Sequence, residues 1–253
     1  MTGTRITQTP SGKKVAIVGG GPTGISAASR LVEFGHEVDL FEQSDRLGGA
    51  PSRVIPASRL ASPSDEIEAL LAPAIAAKRL KVLTPQTLGA TIVLEELLQT
   101  YDAVLLAIGV WKEASLDQPL TGVMSGLDFL AGAKNGTLTT VPARVAILAG
   151  GDSAMDAAKV ARSLGAQEIF ILFGGPRSEM HWHMPESWFA SLGVHAMMEW
   201  QPLGYSSDAA GRVTSVQIRH THLGVQSSLA IDFVIEAMGL SVDEKSLGKT
   251  TPA

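Results

Sequence analysis

Val15, Ala16, Ile17 and Val18 form an unbroken apolar run between Lys13–Lys14 and a cluster of glycines. So short a run without alternation fits a strand buried on both faces of a parallel sheet. From Pro22 to Phe34 the pattern changes. Ile25, Ala28, Leu31 and Val32 recur at helical spacing, Pro22 stands near the first turn and Gly35 lies past the end. A second apolar run, Val38 to Phe41, ends at Glu42 and completes a strand, helix, strand unit.

Farther along, the segment from Asp65 to about Ala77 predicts a helix that Pro73 interrupts or shortens. Residues 81–83 predict a strand. "LEELLQTYDAVLLAIG" predicts a short amphipathic helix followed by a buried strand, Ala103 to Ile108. Positions 111–142, with Pro119, Pro142 and several glycines, read as a connector. The opening design then returns, as the apolar run Val145 to Leu148, a glycine turn, a helix from Asp152 to Leu164 and a strand from Ile169 to Phe173. Residues 194–235 read as three strands. The expected class is α/β, with two Rossmann-like dinucleotide-binding units and a three-stranded β-meander. The units are placed at 13–118 and 119–240, between tails at 1–12 and 241–253.

Composition narrows the function. The 253 residues carry a net charge of -5 and no long basic run, which argues against nucleic acid as a partner. There is no cysteine, so this chain supplies no disulfide, no thiol nucleophile and no thiolate-held iron–sulfur cluster. The polar N-terminus has no apolar core segment and no run of apolar residues is long enough to span a bilayer, so a cytoplasmic location is expected, without membrane contact. The pairs His181/His183 and His220/His222 are too few ligands for a zinc centre, and no metal is expected. Trp182 and Trp188 are assigned to packing, with a cap on a nicotinamide as the alternative.

The glycines carry the chemistry. Gly19, Gly21 and Gly24 make G-x-G-x-x-G between a strand and a helix. The first permits the tight turn, the second lets backbone approach a pyrophosphate, and the third lets helix pack on strand. The helix N-terminus attracts the anion without a lysine. Glu42, ending the second strand, is placed to accept from an adenosine ribose. In the second unit the same frame reads Ala149, Gly151 and Ala154. An altered nucleotide site, or a unit that keeps the fold without a nucleotide, both fit that turn.

Two such units in one chain resemble the two-dinucleotide-binding flavoproteins, and residues 13–240 look like the small subunit of glutamate synthase and the matching part of dihydropyrimidine dehydrogenase. The motifs that carry the resemblance are "VAIVGGGPTG", "FEQSDRLGG", "IPASRL", "LEELLQTYDAVLLAIG", "GGDSAMDAA" and "RSEM". The resemblance implies FAD in the first unit, NADPH or NADH in the second, and hydride transfer from nicotinamide to flavin. By position, Gly19, Gly21, Pro22, Thr23, Gly24, Glu42, Gly48, Gly49, Arg59 and Gly109 would line the FAD. Gly150, Gly151, Asp152, Ser153 and Arg177 would meet the nicotinamide dinucleotide. No catalytic side chain is assigned, because cofactor positioning accounts for the reaction.

The sequence departs from that family where Gly174 and Gly175 replace two arginines that grip a 2′-phosphate. Weak discrimination between NADPH and NADH is therefore expected. The family's cysteine-rich cluster domain and the C-terminal return of its FAD domain have no counterpart in this sequence, so a protein partner or a second copy is expected to complete the FAD site. Two alternatives remain: a flavin subunit of an amine or amino-acid oxidase or dehydrogenase with a vestigial nicotinamide site, and a catalytically silent nucleotide-binding partner.

Overall fold

A computed structural model describes residues 3–6, 8–61, 63–148, 151–180 and 186–247. The chain divides into two compact units, one of Met1–Arg53, Ala57–Lys112 and Val242–Ala253, the other of Val54–Pro56 and Glu113–Ser241.

The first unit runs β1 (Lys14–Val18), α1 (Pro22–Glu33), β2 (Glu37–Phe41), α2 (Gly49–Arg53), α3 (Ser64–Ala76), β3 (Leu80–Leu83), α4 (Leu94–Thr100) and β4 (Ala103–Leu106). Its four strands pair in parallel in the order β3-β2-β1-β4. The apolar run of β1 is buried on both faces, as its pattern predicts. Val15 and Ile17 pack with Ile25, Ala28 and Val32 of α1 and Leu71 of α3. Ala16 and Val18 pack with Phe41 and Leu97 on the other face. Burying a side chain such as Ile17 stabilises the fold by roughly 1.5–3 kcal/mol.

Three expectations for this unit are corrected. Pro73 sits inside α3 without interrupting it. The proline forgoes one hydrogen bond to the turn before it, the helix continues with the Ala77 N–H donating to Pro73 O at 3.0 Å, and the Gly3 backbone packs against the ring, an added Cβ there falling 2.8 Å from Pro73 Cγ. Within the segment read as an N-terminal tail, Thr4 is tied down. Thr4 is 3% exposed, its N–H donates to Leu70 O at 2.9 Å, and its hydroxyl donates to the same carbonyl at 2.8 Å. The strand read as buried, β4, instead exposes Leu105 (36%) and Leu106 (40%), since it is the edge of its sheet.

Two-residue strands, β5 (Lys112–Glu113) and later β14 (Leu240–Ser241), pair where the chain enters and leaves the second unit. That unit contains β6 (Val123–Ser125), α5 (Gly126–Asn135), β7 (Arg144–Leu148), α6 (Asp152–Ser163), β8 (Glu168–Phe173), a 3-10 turn (Arg177–Glu179), α7 (Glu186–Ser191), β9 (Val194–Met198), β10 (Trp200–Ser207), β11 (Val213–His220), β12 (Gln226–Ala230) and β13 (Phe233–Glu236). Its five-stranded sheet has the order β6-β13-β7-β8-β9. Read from the other side, β9-β8-β7-β13 repeats the order β3-β2-β1-β4 of the first unit.

The predicted meander is β10-β11-β12, and it covers one face of the second sheet, where Val213, Val216, Ile218 and Ile231 pack on Ala146, Leu148, Leu172 and Val234. The stretch "SLAIDFVIEA" is divided. Its first half ends the meander at Ala230, whereas Phe233–Glu236, buried throughout, enters the parallel sheet between β6 and β7. The connector at 111–142 hides α5, whose Ser125 hydroxyl accepts from the Asp128 N–H at 3.1 Å and whose C-cap Gly136 is left-handed (φ 78°).

Candidate dinucleotide-binding sites

In the first unit the turn after β1 is held by backbone on three sides. Gly19 N–H donates to Phe41 O at 2.7 Å, Gly20 O accepts from Gly48 N–H at 2.8 Å, and Ala107 N–H donates to Val18 O at 2.7 Å. At φ 111° an added Cβ on Gly19 would fall 2.3 Å from Ala107 O, and one on Gly24 would fall 1.9 Å from Gly19 O. These contacts are the tight turn and the close helix approach that the motif requires. Gly21 differs. As the N-cap of α1 it has extended backbone (φ -78°, ψ -176°), and a Cβ would meet only Gly49 Cα, at 3.9 Å.

No side chain caps α1, and Pro22 opens the helix. The orphan N–H groups of its first turn, which includes Thr23 and Gly24, are therefore left for a ligand or solvent. Gly48 (φ 114°) and Gly49 (φ 54°) return the chain to this turn, and a Cβ on Gly49 would fall 2.9 Å from Gly21 Cα. Two side-chain-free backbones thus face each other beside an uncapped helix N-terminus. This cradle fits a pyrophosphate, which needs donors and close backbone approach.

Glu42 is 6% exposed, and its carboxylate is anchored to the turn. Oε2 accepts from Gly20 N–H at 2.7 Å, while Oε1 accepts from Ser44 N–H at 2.8 Å and from the Ser44 hydroxyl at 2.5 Å. One lone pair of Oε2 remains for a ribose hydroxyl. Beyond β4, Gly109 is left-handed (φ 71°), and a Cβ there would fall 3.2 Å from Trp111 Nε1. The Arg53 guanidinium lies 4.9 Å from the Trp111 ring centroid. Neither Trp111 nor Arg53 was singled out from the sequence, although a tryptophan two residues after Gly109 was the available signal. Arg59 is exposed in the turn that follows α2.

In the second unit Ala149 and Gly150 lie outside the described residues, as do His181, Trp182 and His183. Gly151 is the N-cap of α6 with extended backbone (φ -119°, ψ -175°), no side chain caps the helix, and a Cβ on Gly151 would meet nothing within 4 Å. Asp152 and Ser153 open the helix. Ala154, in the place of Gly24, is fully buried. Trp188 packs edge-on against Phe189 with ring centroids 5.2 Å apart, and Lys159 Nζ lies 5.8 Å from the Trp188 ring. His220 and His222 both face Glu199, with Nε2 to carboxylate distances of 3.7 and 3.3 Å. Among the described residues no group of three or more His, Cys, Asp or Glu is arranged to hold a metal ion.

The profile of the pyridine nucleotide-disulphide oxidoreductases matches residues 1–59 and 13–251. The glutamate synthase [NADPH] small chain of Azospirillum brasilense is 28% identical over 94% of this chain and 55% of its own length. The NAD-dependent dihydropyrimidine dehydrogenase subunit PreT of Escherichia coli O157:H7 is 30% identical over 94% of this chain and 57% of its own. The chain thus spans about half the length of these curated relatives. Among solved structures, thioredoxin reductase of Lactococcus lactis superposes with a TM-score of 0.69 at 16% identity, covering 95% of this chain and 83% of that one, and so shares the fold. Two units of one strand order, with the uncapped helices α1 and α6 following the corresponding strands β1 and β7, agree with these matches, and the chain belongs to the pyridine nucleotide-disulphide oxidoreductase family.

Proposed function

We propose that this chain is an FAD-dependent NAD(P)H oxidoreductase working as one component of a larger redox or biosynthetic system. The observation that supports this reading most is the repetition within one chain: the same strand order twice, and twice a glycine N-cap with no side chain on it. Residues 13–118 form the FAD domain of the proposal and residues 119–240 the nicotinamide domain.

In the first domain Gly19, Gly21, Pro22, Thr23 and Gly24 shape the pyrophosphate cradle, Gly48 and Gly49 close it, and Glu42 accepts from the adenosine ribose. Arg59 and Gly109 complete the FAD contacts. In the second domain Gly150, Gly151, Asp152 and Ser153 meet the dinucleotide, with Arg177 near its adenosine end. A bound flavin supplies the hydride-accepting chemistry, and the protein's part is to bind and orient. With no cysteine in the chain, electrons leave by a route other than its own thiols.

The apolar edge strand β4, with Leu105 and Leu106 exposed, supports contact with a partner subunit or a second copy at the FAD domain. The relatives' names, "small chain" and "subunit", support the same reading. No helix among the described residues is long and apolar enough to cross a membrane, and a cytoplasmic location belongs to the proposal. The test is the visible absorption spectrum of the purified protein with added FAD, followed by anaerobic addition of NADH or NADPH. Flavin bands that bleach are the expected result. A protein that takes up no flavin, or whose flavin neither nucleotide bleaches, overturns the proposal.

A further inference from the structure

In a strand, turn, helix, strand unit, a dinucleotide whose pyrophosphate meets the helix N-terminus lays its adenosine ribose at the C-terminal end of the next strand. For the second unit that strand is β8, which pairs in parallel with β7. The two residues after β8 are Gly174 and Gly175, and neither has a positive φ, so the backbone does not call for glycine. At Gly175 space does. A Cβ there would fall 2.7 Å from Glu179 Oε2 and 2.9 Å from Phe173 Cε1. A carboxylate four positions along the chain fills the place of the missing side chain.

The 3-10 turn Arg177–Glu179 delivers it, closed by the Glu179 N–H donating to Pro176 O at 3.0 Å. Among the described residues no cation or donor engages the Glu179 carboxylate, which is exposed. The other charged groups around this strand end are already engaged. Glu199, left-handed at φ 62°, donates its N–H to Gly175 O at 3.0 Å, and its carboxylate faces His220 and His222. The Arg177 guanidinium lies over the Phe189 ring, 5.5 Å from its centroid. Arg219 reaches Gln201 Oε1 at 3.3 Å.

We infer that Glu179 is the specificity-determining residue of the second unit, accepting from the 2′-hydroxyl of the adenosine ribose and repelling a 2′-phosphate, so that the site takes NADH over NADPH. The inference rests on the proposed nicotinamide site. The strand end contains no acid in sequence, which is why weak discrimination was expected from it; the fold brings the acid in from four residues away.

The test is calorimetric titration of the purified protein with NAD+ and with NADP+, which needs no flavin turnover. NAD+ is expected to bind on the order of tenfold tighter than NADP+, as one charge-assisted hydrogen bond implies. Glu179→Gln should remove most of that ratio and Glu179→Arg should reverse it. Glu199→Gln should change it less than about twofold, its charge being held by two imidazoles. Circular dichroism checks that each variant is folded, which its exposed position favours. Equal or tighter binding of NADP+ by the parent protein, or an unchanged ratio in Glu179→Gln, overturns the inference and leaves the site standing. A folded protein that binds neither nucleotide overturns the nicotinamide site itself, and the inference with it.

Discussion

Gly24 and Ala154 hold the same place in the two units, and their surroundings are opposite. A methyl on Gly24 would strike Gly19 O at 1.9 Å, whereas Ala154 already carries its methyl and is fully buried. The first helix is pressed onto its turn, and the second carries one more carbon in that place. At the N-caps the two units agree, because Gly21 and Gly151 both have extended backbone and both face space. At Gly24 neighbouring backbone forbids a side chain, whereas at the two N-caps no protein atom does. A glycine demanded by neighbouring backbone and a glycine demanded by a ligand look identical in sequence. Only the contacts of the absent Cβ separate them.

The sharpest way to break this comparison is at the N-caps. Gly21→Ala should lower FAD affinity at least tenfold while unfolding stability stays within about 0.5 kcal/mol, because its methyl enters open space, where the proposal places the pyrophosphate. Gly151→Ala should do the same to nicotinamide binding and leave FAD unaffected. Flavin content after gel filtration and a urea titration check the first, and calorimetry checks the second. If Gly21→Ala kept its flavin, the cradle would be misassigned.

Next comes the packed pair. Gly24→Ala should cost about 3 kcal/mol, since the helix must lift off rigid backbone, and Ala154→Gly about 1 kcal/mol through helix propensity alone. Urea unfolding of the two variants measures both, and equal costs would erase the distinction.

Glu42 and Gly174 follow β2 and β8 in the same way and test the strand ends. Glu42→Ala leaves the Gly20 N–H without its acceptor and should cost about 2 kcal/mol. Gly174→Ala places a Cβ 3.8 Å from Gln201 Cβ, ordinary contact distance, and should stay within about 0.5 kcal/mol.

The smallest effect concerns a feature that the units share. Tyr101 donates to Asp39 Oδ2 at 2.6 Å and Tyr205 to Glu236 Oε1 at 2.5 Å. Burial first, then the hydrogen bond and charge of the carboxylate, raise both phenols above their ordinary pKa of 10.0. Unfolded tyrosines release their protons near pH 10 while the folded ones keep theirs, so this contribution is complete below that pH and declines as pH rises beyond it. Tyr101→Phe and Tyr205→Phe should each flatten the alkaline loss of stability, and to a similar extent, in melts recorded from pH 8 to 11, because both folded phenols keep their protons throughout that range. Identical slopes in both variants and the parent would contradict this.

Both repeats were legible because each rests on local pattern: an apolar run, glycines, then helical spacing that ends at a glycine. β1, α1 and β2 lie within a residue of where periodicity puts them. What escaped depends on distant partners. Leu105 and Leu106 look as apolar as Ile17, and only their place at a sheet edge exposes them. Thr4 looks like tail until Leu70 O is brought beside it. Helix α5 could have been found from Ser125, Asp128 and Gly136, but the flanking prolines drew attention to loop. Glu179 could not, since its position over Gly175 comes from a turn that the sequence pattern does not mark.

The placement of β13 has a consequence for biosynthesis. Phe233 pairs with Val145 and Val234 with Val123, so a strand made late in the second unit lies between two made early. The sheet of the first unit, by contrast, has all four strands by Leu106. A nascent chain paused anywhere between Gly151 and Ile231 would carry a finished first sheet beside an open second one, with Ile147 and Leu148 lacking their neighbour. Pairing across so long a separation is slow, and through that interval the growing polypeptide exposes the apolar residues of β7 to chaperones.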